Sequence, residues 1–206
     1  MPGRIVRLGI DYGTSTSKLV FRDPFAPGKE KTYLVMREGA FRIPSSVAIT
    51  EKELIFGCAP LDGGGVHGRW LESVKMRVAG EATGNYQKYC YGPLPSLPNG
   101  FSAKDLGILT VWFLLSEGTN SISRFLNLSA HDVAITATVG IPMSFYEDDK
   151  LRTVFLEIVR TARRIYDDYG SMKTNFVALD DGLALVRRHR MSADEIGVPQ
   201  IGRAHV

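Results

Sequence analysis

The feature that most limits what this chain can fold into is an uncharged apolar run, residues 133–139, set between two long segments of helical period. Bounded by Gly140 and Pro142, it reads as a buried strand. On one side, residues 103–126 carry Leu106, Leu109, Trp112, Phe113 and Ser116 at near-helical spacing behind Ser102, a suitable N-cap. Gly118 and Asn120 are expected to break that stretch into two pieces. On the other side, residues 147–169 place Leu151, Val154, Phe155, Ile158, Val159, Ala162, Ile165, Tyr166 and Tyr169 on one apolar stripe. Glu147, Asp148 and Asp149 open that helix, and Arg160, Arg163 and Arg164 lie toward its end, both suited to the helix dipole. Gly170 supplies the stop. A short strand over 176–179 and a helix over 182–190 continue the alternation.

Upstream the period shortens. Residues 4–10 are β-rich, residues 18–21 form a second β-type run, and the glycine and hydroxyl residues between them predict a hairpin. Residues 33–36, 46–49 and 54–57 are further short strand candidates, and 23–29 is a loop with two prolines and a glycine. Strands first, then helix and strand in alternation, define an α/β chain with a mixed sheet and flanking helices. Its 206 residues suffice for one sizeable domain or two small lobes. Residues 62–68 are glycine-rich but lack a preceding strong strand and a following Lys-Ser/Thr, so they read as a surface turn and not a P-loop. Residues 92–100, with three prolines, read as a linker-like loop.

The bulk properties exclude several partner classes. A net charge of +3 with Lys and Arg scattered among acids gives no case for nucleic acid. The longest apolar stretch, 109–115, is far short of the ~20 residues of a membrane span. Asp11 interrupts any apolar leader segment. Cys58 and Cys90 are far apart and lack CxxC partners, so neither a disulfide framework nor a zinc site is indicated. A reduced, cytoplasmic protein is the expectation.

The chemistry-bearing segment is Gly9-Ile10-Asp11-Tyr12-Gly13-Thr14-Ser15-Thr16-Ser17. Gly13 permits a tight turn at a strand end. The amides and hydroxyls of Thr14, Ser15 and Thr16 can curl around an anion as a phosphate nest. Asp11 is placed to hold Mg²⁺ through water. Phosphate grip plus a metal-holding acid is the minimum equipment for phosphoryl transfer. The bland alternative is a polar hairpin with an Asx-type turn.

This segment resembles the first phosphate motif of the actin, heat-shock-chaperone and sugar-kinase superfamily: apolar-Gly-apolar-Asp-x-Gly-Thr, followed by hydroxyl residues. Other segments fall in family order. Ile43-Pro44-Ser45-Ser46-Val47-Ala48-Ile49 is similar to the "Thr-Pro-Ser-Val-Val" strand of DnaK-type chaperones and bacterial rod-shape actins. Phe56-Gly57-Cys58-Ala59 is similar to the "Gly-x-x-Ala" after it, and 133–145 resembles the chaperone "Val-Ile-Thr-Val-Pro-Ala-Tyr-Phe" strand and turn. Residues 72–80 resemble the chaperone segment around its catalytic lysine. The coverage is about residues 4–170, with low identity between motifs.

The resemblance implies a ribonuclease H-like, actin-type ATPase lobe over residues 1–200, closest to the N-terminal lobe of a DnaK-type chaperone. ATP or ADP and Mg²⁺ would be its cofactors, with Gly13, Thr14, Ser15 and Thr16 cradling phosphate and Asp11 at the metal. Lys75 would orient the attacking water. Asp181, in Leu179-Asp180-Asp181-Gly182, would stand where the family has a glutamate and join Asp11 at the metal, although the family's Pro and Thr are missing there. Pro142 matches the family's hinge proline, while its expected arginine partner is Lys150 here, or Arg152 with a shift. The family's second lobe supplies a further phosphate loop and the adenosine pocket, and neither pattern occurs in this sequence. The lobe is therefore expected to be truncated and to bind nucleotide weakly on its own. A client protein would be engaged through a downstream domain, and self-association is a further expected partnership. The codons that can encode residues 200–206 match, after one base, the start of a common sequencing adapter. Residues 201–206 are accordingly expected to be a non-native tail. An actin-like filament protein, a sugar or carboxylate kinase and a non-catalytic binding module are the alternative readings.

Overall fold

A computed structural model describes residues 4–26, 31–58, 68–90, 96–98, 100–128 and 133–190. The glycine loop at 62–67, most of the proline-rich loop at 92–100, Ala59 and the tail at 201–206 lie outside these residues.

The strands are β1 (Arg4–Asp11), β2 (Thr16–Asp23), β3 (Lys31–Leu34), β4 (Ile43–Pro44), β5 (Val47–Ile49), β6 (Glu53–Phe56), β7 (Arg69–Leu71), β8 (Val133–Gly140) and β9 (Phe176–Ala178). The helices are α1 (Val74–Thr83), α2 (Tyr86–Tyr89), α3 (Ala103–Leu126), α4 (Met143–Tyr146), α5 (Asp149–Tyr169) and α6 (Leu179–His189). The α/β class and the mixed sheet follow from these elements: the first sheet runs β3-β2-β1-β8, with β4 added beside β2. β1 and β2 form the antiparallel hairpin, and β8 lies parallel to β1 with Ile10 beside Val139 and Asp11 beside Gly140.

The period-two alternation of β1 and β2 sends Val6, Leu8, Ile10, Leu19 and Phe21 into one fully buried layer. That layer packs on α3. Gly118 lies where α3 meets the sheet: a Cβ there would come within 2.6 Å of Leu8 Cδ2. So α3 is one continuous helix, and the expected break at Gly118 and Asn120 does not occur. The small residue serves close packing against the sheet. Gly107 allows a similar approach on another face of the helix, between Ile158 of α5 and Val78 of α1.

Both long helices are capped by their own sequence. Ser102 and Asp105 form a capping box: the Asp105 amide donates to Ser102 Oγ at 3.2 Å, and the Ser102 amide donates to Asp105 Oδ2 at 2.9 Å. Asp148 Oδ1 accepts from the amides of Lys150 and Leu151, so α5 starts at Asp149, and the preceding residues form the separate short α4. The arginines of α5 stop short of its last turn. Arg163 pairs with Asp167 at 2.7 Å instead of meeting terminal carbonyls. The strand reading at 33–36 shifts to Lys31–Leu34, and β7 is an added strand whose three residues carry no periodic signal long enough to read.

The largest departure is a second sheet, β7-β5-β6-β9, antiparallel throughout. β9 joins it from far along the chain. The Phe56 amide donates to the Asn175 carbonyl at 2.7 Å, and Asn175 Nδ2 donates back to the Phe56 carbonyl at 3.1 Å. Phe56 also stacks on Phe113 of α3, which joins the second sheet to the central helix.

Candidate functional site

The β1–β2 turn is the site the sequence points to, and the local structure explains why these residues build it. A Cβ on Gly13 would collide with the Thr16 carbonyl, so only glycine fits the turn. The reason is close approach of backbone to backbone. Gly13 is not among the residues with positive φ. Beyond it, the Ser45 amide donates to the Ser15 carbonyl at 2.9 Å, and Ser17 Oγ and Ser45 Oγ share a buried hydrogen bond of 2.8 Å. With Thr16 beside Pro44 and Ser17 beside Ile43, the Ile43–Pro44 strand and Ser45 clamp the far side of the turn. Among the described residues, the amides of Gly13, Thr14 and Ser15 donate to no protein acceptor. Thr14 and Ser15 are exposed, and Thr16 is half-buried.

Lys75 arrives from α1. Ser73 ahead of it takes a left-handed conformation, φ 54°, unusual for a residue with a side chain. Lys75 is 4% exposed, unusual for a lysine. Its ammonium donates to the Tyr12 carbonyl and sits 5.5 Å from the Tyr12 ring centroid and 6.0 Å from that of Phe145. Burial lowers its pKa to about 8, and the Asp11 carboxylate opposes that shift. Lys75 has three donors, and the carbonyl takes one of them.

Asp11 is exposed at the end of β1, between Lys18 on β2 and Gly140 on β8. Lys75 thus lies beside Asp11 and the Tyr12 carbonyl that leads into the turn at Gly13 to Thr16, with the ring of Phe145, just past Pro142, near its ammonium. Sequence reasoning assigned no role to Phe145 or to Tyr12. Tyr12 is fully buried, burial raises its pKa, and its hydroxyl has no hydrogen-bond partner among the described residues. No sequence signal distinguishes it from any other strand-end tyrosine.

Asp181 is not brought to this group. It lies in the first turn of α6, where the Leu179 amide donates to the Lys52 carbonyl at 2.8 Å. That is the Thr50 end of β5, whereas Ser45 and Ser46, at its other end, border the turn. An open cleft of about 380 Å³ lies at that Thr50 end, lined by Arg69, Phe101, Asp180 and Leu183 among others. None of its residues belongs to the β1–β2 turn. Among the described residues no group of three or more His, Cys, Asp or Glu side chains can hold a metal directly. Asp11 alone fits a magnesium ion that keeps most of its water, because such an ion needs only one or two carboxylates. Cys58 and Cys90 are free, half-buried thiols whose pKa values burial raises.

The β1–β2 turn thus carries backbone amides without a protein acceptor among the described residues, next to the carbonyl that Lys75 binds, on a mixed α/β scaffold. No protein-family model matches the chain, and no curated protein matches it. No helix among the described residues is long and apolar enough to cross a membrane.

Proposed function

We propose that this chain grips the phosphates of ATP at the β1–β2 turn as one lobe of an actin-type ATPase, closest to the nucleotide-binding region of a DnaK-like chaperone. The observation that carries this reading is the Lys75 ammonium on the Tyr12 carbonyl, next in sequence to turn amides that no described protein group accepts from. The amides of Gly13, Thr14 and Ser15 would donate to phosphate oxygens. Asp11 would hold Mg²⁺ through its water shell. The two remaining Lys75 donors would offset charge on the terminal phosphate as water attacks it. The Phe145 and Tyr12 rings keep water from Lys75, which strengthens its field at short range.

The test is titration of MgATP into the chain, followed by ³¹P line broadening. A dissociation constant of roughly 0.1–1 mM, or about 4–5.5 kcal/mol, is expected of a half-complete site. Gly13→Ala and Lys75→Met should each abolish the broadening. Micromolar affinity would contradict the half-site reading. No broadening at several times the expected constant would remove the nucleotide reading altogether. Binding should also take up protons near pH 8, because an anion beside Lys75 raises its lowered pKa. Calorimetry in buffers of different ionisation enthalpy measures that uptake, and proton release would contradict Lys75 as the phosphate contact.

A further inference from the structure

The first sheet ends in an open strand. β8 is its terminal strand, paired with β1 along one edge, and no described residue adds a strand along the other. Edge strands are usually blunted by shortness, charge or proline. The remaining edges of this molecule follow that rule: β3 is short and begins with Lys31, and β7 and β9 have three residues each, with Arg69 in β7. β8 departs from it. Its eight residues, Val-Ala-Ile-Thr-Ala-Thr-Val-Gly, include neither charge nor proline.

Alternation fixes which groups this edge offers. The carbonyl of Ile135 points away from β1, because it accepts from Arg163 Nη1 at 3.4 Å. Residues 133, 135, 137 and 139 therefore present their amides and carbonyls outward, and 134, 136, 138 and 140 face β1. The side chains of Ile135, Ala137 and Val139 lie on the helix-covered face beside Val6, Leu8 and Ile10, yet remain only half-buried. An added strand would cover them.

We infer that this edge pairs with the β8 of a second copy of the chain, antiparallel about a two-fold axis at Thr136. Antiparallel pairing sets outward residues opposite outward residues. A centre at Thr136 places 135 against 137 and 133 against 139, which uses the whole outward-facing set. No other centre does so. A strand that meets its own copy must carry no charge, since like charges directly opposite destabilise the pair. β8 meets that requirement over its full length, and Thr136 opposite Thr136 is a favourable cross-strand pair. Arg163 covers the Ile135 carbonyl in the single chain and must swing aside when the second strand arrives. This inference is independent of the nucleotide reading, because it uses neither the β1–β2 turn nor Lys75.

Thr136 is exposed on the uncovered face of the sheet, so charged replacements there leave the core intact. Sedimentation velocity from about 1 to about 200 µM, the range in which modest interfaces dissociate, should show the wild type passing from monomer to dimer. Thr136→Lys and Thr136→Asp should each stay monomeric, with near-ultraviolet circular dichroism unchanged. An equimolar mixture of the two should recover dimer, because opposite charges then face each other at the axis. Arg163→Ala should dimerise a few-fold more tightly than wild type. A wild type that stays monomeric throughout would overturn the inference, as would variants that dimerise like wild type or a mixture that does not recover.

Discussion

A lysine ammonium held at 4% exposure between two aromatic rings has lost most of its water, and one carbonyl only partly replaces it. The sign of the pH effect follows. In the unfolded chain Lys75 titrates near 10.5, and in the fold near about 8. Below pH 8 both states hold the proton and the full cost of burying the charge is present. Between pH 8 and 10.5 the native state releases its proton first, so the unfolded state binds more protons and stability rises with pH. Lys75→Met should therefore be more stable than wild type at pH 7, by about 2 kcal/mol after allowance for solvent screening. That advantage should fade by pH 10. Urea unfolding of both proteins at the two pH values tests it, and the thiol and tyrosine titrations cancel in the difference. Tyr12 makes a similar case. Its hydroxyl is buried without a partner, so Tyr12→Phe should raise stability by about 1 kcal/mol, read from the urea midpoint. The importance of Gly13 was legible in the sequence, but the burial of Lys75 was not. Nothing in Ser73-Val74-Lys75 shows that the lysine sits against Tyr12 and Phe145, partners 63 and 70 positions away.

At the scale of the element, the caps and stripes of α3 and α5 were legible because they rest on local chemistry. Ser102 with Asp105, and Asp148 before its own helix, act within a few residues of themselves. Gly118 misled for the opposite reason. Its role is set by Leu8, a partner more than a hundred positions away. Gly118→Ala consequently sets two effects against each other. Alanine gains about 1 kcal/mol of helix propensity, but its methyl group would come within 2.6 Å of the Leu8 side chain, which is buried and must shift. Overpacking of that kind costs about 1–3 kcal/mol. We expect net destabilisation, seen as a lowered thermal midpoint. Asp105 offers a second test. It is 2% exposed, caps α3 and accepts from Arg190 at the end of α6. Asp105→Ala should cost about 2–4 kcal/mol, because it removes a cap and leaves the arginine unpaired.

At the scale of the whole molecule, the two faces of the first sheet differ. One carries the apolar layer under α3. The other shows Ile5 at 49% and Leu34 at 55% exposure, together with exposed Arg7, Lys18, Thr136 and Thr138. Amides of β1, central in the sheet, should exchange with deuterium far more slowly than those of β3 at its edge, and comparable rates would contradict this sheet order. The α/β class was legible from the change of period along the chain. The split into two sheets was not, because β9 is three residues long and its apolar and polar residues do not say which partner it will choose.

That choice governs how the protein comes into being. The second sheet is assembled from residues 47–71 and completed by residues 176–178, so its last pairing closes a loop of more than a hundred residues. During synthesis, at roughly 5–20 residues per second, β6 waits many seconds on the ribosome with an open edge before β9 emerges. A nascent chain halted before Asn175 would carry the β1–β2 turn and α3 yet remain a target for holding chaperones. Release from them should coincide with translation of the last turn of α5 and the strand that follows it.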